Sequence, residues 1–164
     1  MVINEKICKE ELSRQVEYLF DLAGYKIISL KDSWNSEKGA PVFTIDGKYT
    51  SRGWTEWTQG FLYGMPILHF DATGNKSLLD YGRSSTVNIM APHLTHTGVH
   101  DHGFNNVSTY GNLLRLINEG KIEFDTWEKR FYELALKVSG AVQASRSRTG
   151  CHACLRLINY IYGN

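Results

Sequence analysis

Trp57-Thr58-Gln59-Gly60-Phe61-Leu62-Tyr63-Gly64-Met65-Pro66-Ile67-Leu68-His69-Phe70-Asp71-Ala72-Thr73-Gly74 is the stretch that decides the fold class of this chain. Phe61, Met65, Leu68 and Phe70 predict a helix with one broad apolar stripe. Gly60 and Gly64 stand four apart, on a single face of that helix. Each glycine costs a helix roughly 1 kcal/mol against alanine, so the pair predicts close backbone approach of a neighbouring helix or of a ligand. Asp71-Ala72-Thr73-Gly74-Asn75 then ends the helix in a loop.

The same periodicity recurs on both sides. Upstream, Leu12, Val16, Leu19, Phe20 and Ala23 predict a helix over residues 9–23, with Gly24 as its left-handed C-terminal cap. Residues 31–56 are irregular, and Phe43-Thr44-Ile45 before Asp46-Gly47 fits a hairpin arm or a plain loop turn. Downstream, residues 77–90 form a weaker helix broken by Gly82 and closed by Pro92, and residues 91–104 are a loop rich in His and Gly. Residues 106–118 are helical again, with Leu113, Leu114, Leu116 and Ile117 on the apolar side and Gly120 at the end. Asp125-Thr126 caps the next helix, Glu128 suits its dipole, and Phe131, Leu134, Ala135 and Val138 form its buried face. The small residues 139–144 continue it in a crowded place, and residues 151–160 form a last helix or strand. About six helices with no convincing sheet make an all-α chain of stacked αα-hairpins.

Composition narrows the function. The 164 residues are 42% hydrophobic and 21% charged, too apolar for a disordered chain, and no run approaches the length a bilayer crossing needs. Eighteen Lys and Arg against seventeen Asp and Glu leave +1, which gives no electrostatic footprint for nucleic acid and no basic stripe for a membrane surface. The polar start Met1-Val2-Ile3-Asn4-Glu5-Lys6 is unlike a signal peptide, and the three cysteines, an odd set, suit reduced thiols in a cytoplasm. Cys151-His152-Ala153-Cys154 has the spacing of redox or zinc sites but lacks a second pair, and reads as packing residues.

One constellation carries chemistry: Trp54-Thr55-Glu56-Trp57 at the start of the glycine-bearing helix, and His100-Asp101-His102-Gly103-Phe104. Aromatic rings beside carboxylates suit a carbohydrate, whose C–H face packs on indole and whose glycosidic chemistry needs a carboxyl group to move a proton. Asp101 lies in a glycine-flanked loop where it can project into a cavity, or else it caps the helix that follows. Trp54 and Trp57 are sugar platforms or core residues, and Glu56 between them is otherwise a solvated charge. His93, His96, His100 and His102 would permit zinc, but Gly98 interrupts the spacing and no acidic or cysteine ligand stands at a recognisable metal spacing. Phosphate loops, nucleophile elbows and dinucleotide fingerprints are absent from the sequence.

Trp57-Thr58-Gln59-Gly60-Phe61-Leu62-Tyr63-Gly64, a helix ending at Ala72-Thr73-Gly74, and His100-Asp101-His102-Gly103-Phe104 together resemble the unsaturated glucuronyl hydrolases, glycosyl hydrolase family 88. The resemblance runs from Trp54 to Ala144. It implies an all-helical barrel, or toroid, of six αα-hairpins with the active site at one end. It implies hydration of the double bond in oligosaccharides whose non-reducing end is a 4,5-unsaturated uronic acid, as polysaccharide lyases release, with no metal or organic cofactor. By motif match Asp101 is the first of two family aspartates and contacts the reacting sugar, His100 holds the substrate, and Trp57 packs on it, with Trp54 beside it.

The family's second aspartate, its general acid/base, has no counterpart here. Asp125 is the only aspartate after Asp101, and it falls too early, at a helix start. Twelve helices of ~12 residues with ~5-residue loops need roughly 200 residues, so residues 1–164 are expected to be a single, incomplete domain, the N-terminal half of a barrel. Apolar faces left uncovered would favour self-association. The alternative is a helical module that binds sugar or a partner chain without turnover.

Overall fold

The computed structural model describes residues 8–51 and 56–146. Helix α1, Lys9–Ser33, runs well past the glycine expected to end it. Gly24 is buried inside the helix because the His69 ring lies against it: a Cβ there would stand 2.6 Å from His69 Nε2. The glycine is a contact point for a neighbouring helix and not a stop. Beyond α1, Phe43–Ile45 (β1) and Lys48–Thr50 (β2) form an antiparallel hairpin in which Thr44 faces Tyr49. Asp46 and Gly47 both take positive φ, 50° and 73°, as a tight two-residue turn requires. Asp-Gly is thus a hairpin turn here.

Helix α2, Gln59–Thr73, ends at Gly74 in the left-handed conformation, φ 76°. Its buried face is not the expected one. Phe61, Met65 and Leu68 are 42–47% exposed, while Leu62, Tyr63, Ile67 and the two glycines are buried. The helix is apolar nearly all round, so the largest side chains do not choose its inward face; the glycines do, by allowing contact at backbone distance. Helix α3, Lys76–Ile89, starts where Asn75 Oδ1 accepts from Ser77 N at 3.1 Å. Gly82 does not break it, since that position lies against α2, where a Cβ would meet Ile67 Cγ1 at 2.6 Å. Helices α2 and α3 therefore form one tight αα-hairpin.

The stretch expected to be a loop contains a short helix α4, Pro92–Thr95, with proline at its first turn. A π-helical segment, Gly103–Gly111, then runs into α5, Asn112–Asn118, and Gly120 turns the chain with φ 69°. Asp125 caps α6, Thr126–Arg146, by accepting from Glu128 N at 2.7 Å, as its sequence predicts. The buried face of α6 is Tyr132, Ala135, Ser139, Gly140 and Gln143, while Leu134 is 59% exposed. Leu134 thus falls outside the expected face, whereas Ala135 is buried and Phe131 packs on the core; the face extends to Ser139 and Gln143, drawn inward by hydrogen bonds with His102, Asn106 and Val99 O.

Tyr63, Ile67, Met90, Tyr110, Leu113, Leu116 and Tyr132 form the centre of the core. Two ion networks brace it from outside. Arg83 grips Glu128 with two nitrogens, Glu128 accepts from Tyr132 Oη at 2.6 Å, and Asp71 receives Arg115 and Lys121 at 2.7 and 2.6 Å. The chain is mostly helical, with the two-stranded hairpin as the only sheet among the described residues. No described helix is long and apolar enough to cross a membrane. Leu12, Val16 and Leu19, on the first half of α1, are exposed. Trp54, the Cys151–Cys154 motif and the expected last element lie outside the described residues.

Candidate functional site

A helix leaves its first amides without partners in its own ladder. Thr58, at the start of α2, makes no side-chain capping bond. A residue far along the chain supplies one: Gly60 N donates to Asn105 Oδ1 at 2.7 Å. The absence of a side chain at Gly60 makes this possible, since a Cβ would lie 2.1 Å from Phe104 O and 2.3 Å from Asn105 Cα. Gly64 repeats the device one turn later, where a Cβ would stand 2.7 Å from Ser108 O. The sequence expectation of close approach is met, and the neighbour is the π-helical segment.

Asn105 goes on to donate from Nδ2 to His93 Nδ1 at 2.9 Å, and His93 Nε2 donates to Gln59 Oε1 at 2.6 Å. Each group in this circuit has one donor and one acceptor end, so the amide partners set His93 as the neutral Nε2–H tautomer. A second network lies behind the first. Asn106 Nδ2 donates to Ser139 Oγ at 2.8 Å, Ser139 Oγ donates to His102 Nδ1 at 2.9 Å, and His102 Nε2 donates to His96 O. His102 is 1% exposed, and its burial holds the ring below the ordinary histidine pKa, in keeping with a neutral imidazole. A serine on an imidazole nitrogen is also the arrangement of an activated nucleophile. Here both groups are buried and the other ring nitrogen is spent on a backbone carbonyl, so the pair straps the 96–102 loop to α6.

The rings of His93 and His102 are therefore committed to protein groups on both nitrogens. No set of three or more His, Cys, Asp or Glu side chains suited to a metal occurs among the described residues. Sequence reasoning missed Gln59, Asn105, Asn106 and Ser139. Two adjacent asparagines just after Phe104 were the available signal, because amides buried in a helix need specific partners.

The Asp101 carboxylate does not cap the following helix. Phe104 N bonds to the Asp101 backbone oxygen at 3.0 Å, and the side chain, 21% exposed, has the His100 ring at 3.6 Å. His100 itself is 76% exposed. Trp57 is half-buried, with its ring centroid 5.9 Å from that of Phe104, which in turn lies 5.4 Å from Phe61. The two motifs singled out in the sequence thus meet through Phe104.

Trp57 also lines a cleft of about 420 Å³ with Pro41, Phe43 and Tyr49 from the hairpin region and Phe61 from α2. A second cleft of about 370 Å³ adjoins it, sharing Leu30, Tyr49 and Met65. Asp101 and His100 do not line the first cleft. The arrangement offers an aromatic, largely apolar wall suited to a ring face, with a carboxylate and an exposed imidazole on the neighbouring loop. Asp125 is committed to the α6 N-terminus and stands outside this site. No known protein family, no curated protein and no solved structure matches the chain.

Proposed function

We propose that this chain acts on oligosaccharides whose non-reducing end is a 4,5-unsaturated uronic acid, the products of polysaccharide lyases. The observation that supports this reading is the contact of Trp57 with Phe104, a residue three positions after Asp101 in the chain. In this reading Trp57 packs on the C–H face of the sugar, Asp101 contacts the reacting ring and His100 holds the substrate. A carboxyl group protonates C4 of the vinyl ether, water adds at C5 and returns a proton to the carboxylate, the C5 hemiketal opens to a ketone, and the hemiacetal this leaves at C1 collapses to an aldehyde and releases the remaining sugar. In this reading the chain contributes to a six-hairpin toroid and works in the cytoplasm without a cofactor. The purified chain should consume an unsaturated disaccharide, read as loss of its C=C ultraviolet absorbance. Unchanged absorbance, whether or not the disaccharide binds, would refute the reading.

A second reading, a helical module that binds sugar or a partner without turnover, is favoured by the commitment of Asp125 to capping α6. Its mark is binding with unchanged absorbance. The exposed Leu12, Val16 and Leu19 would then serve association, including self-association, read as an apparent mass that rises with concentration in sedimentation.

A further inference from the structure

The Gly60–Asn105–His93–Gln59 circuit joins three elements directly beside Trp57. Gly60 N reaches Asn105 Oδ1 at 2.7 Å, and Asn105 Nδ2 reaches His93 Nδ1 at 2.9 Å. A carboxamide has one accepting and one donating end. The end that faces Gly60 is therefore decided by whether His93 Nδ1 is bare. If that nitrogen carried a proton, the amide would turn its oxygen to the ring and present N–H to the N–H of Gly60. The α2 N-terminus would then lose its remote cap.

We infer that Asn105, oriented by neutral His93, is the positioning residue of the sugar site. It fixes the start of α2, and with it Trp57, against the π-helical segment that follows Asp101. Its role in sugar binding rests on the function proposed above, whereas the circuit itself is a property of the free protein. Packing alone does not account for the arrangement, because the contact depends on a directional bond and on a chosen histidine tautomer.

Two variants test it. Asn105→Asp keeps an acceptor for Gly60 N but also presents an acceptor to His93 Nδ1, so the ring must take a proton there. Imidazole nitrogen NMR at pH 7 should then show His93 changing from the Nε2–H tautomer to a ring protonated at Nδ1. Affinity for an unsaturated disaccharide should stay within about threefold, since the clamp is rebuilt. Asn105→Leu removes both bonds and should weaken that affinity at least about tenfold while the far-ultraviolet spectrum remains helical. An Nε2–H tautomer retained in Asn105→Asp, or wild-type affinity in Asn105→Leu, overturns the inference. If Asn105→Leu does not fold, the Asn105→Asp spectrum decides alone. If the wild-type protein binds no unsaturated disaccharide, the proposed function fails. The His93 spectrum and the nuclear Overhauser contact between Trp57 and Phe104 then decide whether Asn105 positions Trp57.

Discussion

Replacing Gly60 by alanine sets two physical effects against each other. Helix propensity alone favours alanine by about 1 kcal/mol. The structure favours glycine, since the new Cβ would lie 2.1 Å from Phe104 O, 2.3 Å from Asn105 Cα and 2.7 Å from Asn105 O. All three atoms are backbone and cannot swing away like the end of a side chain. Helix α2 must withdraw by about 1 Å or more to restore ordinary contact near ~3.5 Å, which breaks the 2.7 Å bond from Gly60 N to Asn105 Oδ1. Overpacking costs about 1–3 kcal/mol and a buried, unpartnered amide about 1–3 more. After the propensity gain the net destabilisation is roughly 1–5 kcal/mol, a fall in Tm on the order of 10 °C for a domain of this size. Thermal unfolding followed by circular dichroism, with urea midpoints as a check, measures it. Gly64→Ala, whose Cβ meets Ser108 O at 2.7 Å and Ser108 Cβ at 3.1 Å, should cost less. A Gly60→Ala protein as stable as wild type or more so would mean that propensity wins, and would refute the close-approach argument.

Asp101→Asn should leave Tm nearly unchanged, within about 0.5 kcal/mol, because the carboxylate caps no helix, yet it should remove turnover or weaken sugar binding. A large loss of stability with function intact would make Asp101 a structural residue. Ser139→Ala strips His102 Nδ1 and Asn106 Nδ2 of a shared partner in a buried place, and should lower stability by about 1–3 kcal/mol in urea titration. His102 has a folded-state pKa held low by burial, so the unfolded chain takes its proton first. Stability from this group is full above about pH 6.5 and declines as pH falls through that value toward the folded one; His102→Gln should flatten that part of the Tm–pH curve. Asp71, held below the ordinary carboxylate range by Lys121 and Arg115, contributes above about pH 4, and its share disappears on further acidification. Asp71→Asn should remove that acid-side slope, and an unaltered slope would assign it to other carboxylates.

The helices were legible because a 3.6-residue period survives in a single sequence, and the Asp46-Gly47 turn and the Asp125 cap follow from local stereochemistry. The faces were not. On α2 and α6 the inward side is set by partners distant in sequence: Phe104 and Asn105 press on Gly60, and His102 and Asn106 draw Ser139 inward. Gly24 and Gly82 read as helix breakers for the same reason, since nothing local distinguishes a glycine that ends a helix from one that admits a neighbour. Of the candidate site, Trp57 and Asp101 could be singled out by residue type and spacing. The amide circuit beside them could not, because glutamine and asparagine gain meaning only from the groups they meet.

Gly103–Gly111 is wound as a π-helix, with one residue more per turn of ladder than an α-helix carries. Such a segment differs from a regular helix by a single codon. Deleting Val107 would allow an α-helical ladder through the same stretch, but it would rotate everything before the deletion against everything after it. Asn105 and Asn106 could then keep their partners only if Leu113 and Leu116 left the core, or the reverse. The extra residue acts as a phase adjuster between the polar clamp and the apolar interior, and a one-residue deletion there should be far more disruptive than most point substitutions in the flanking helices.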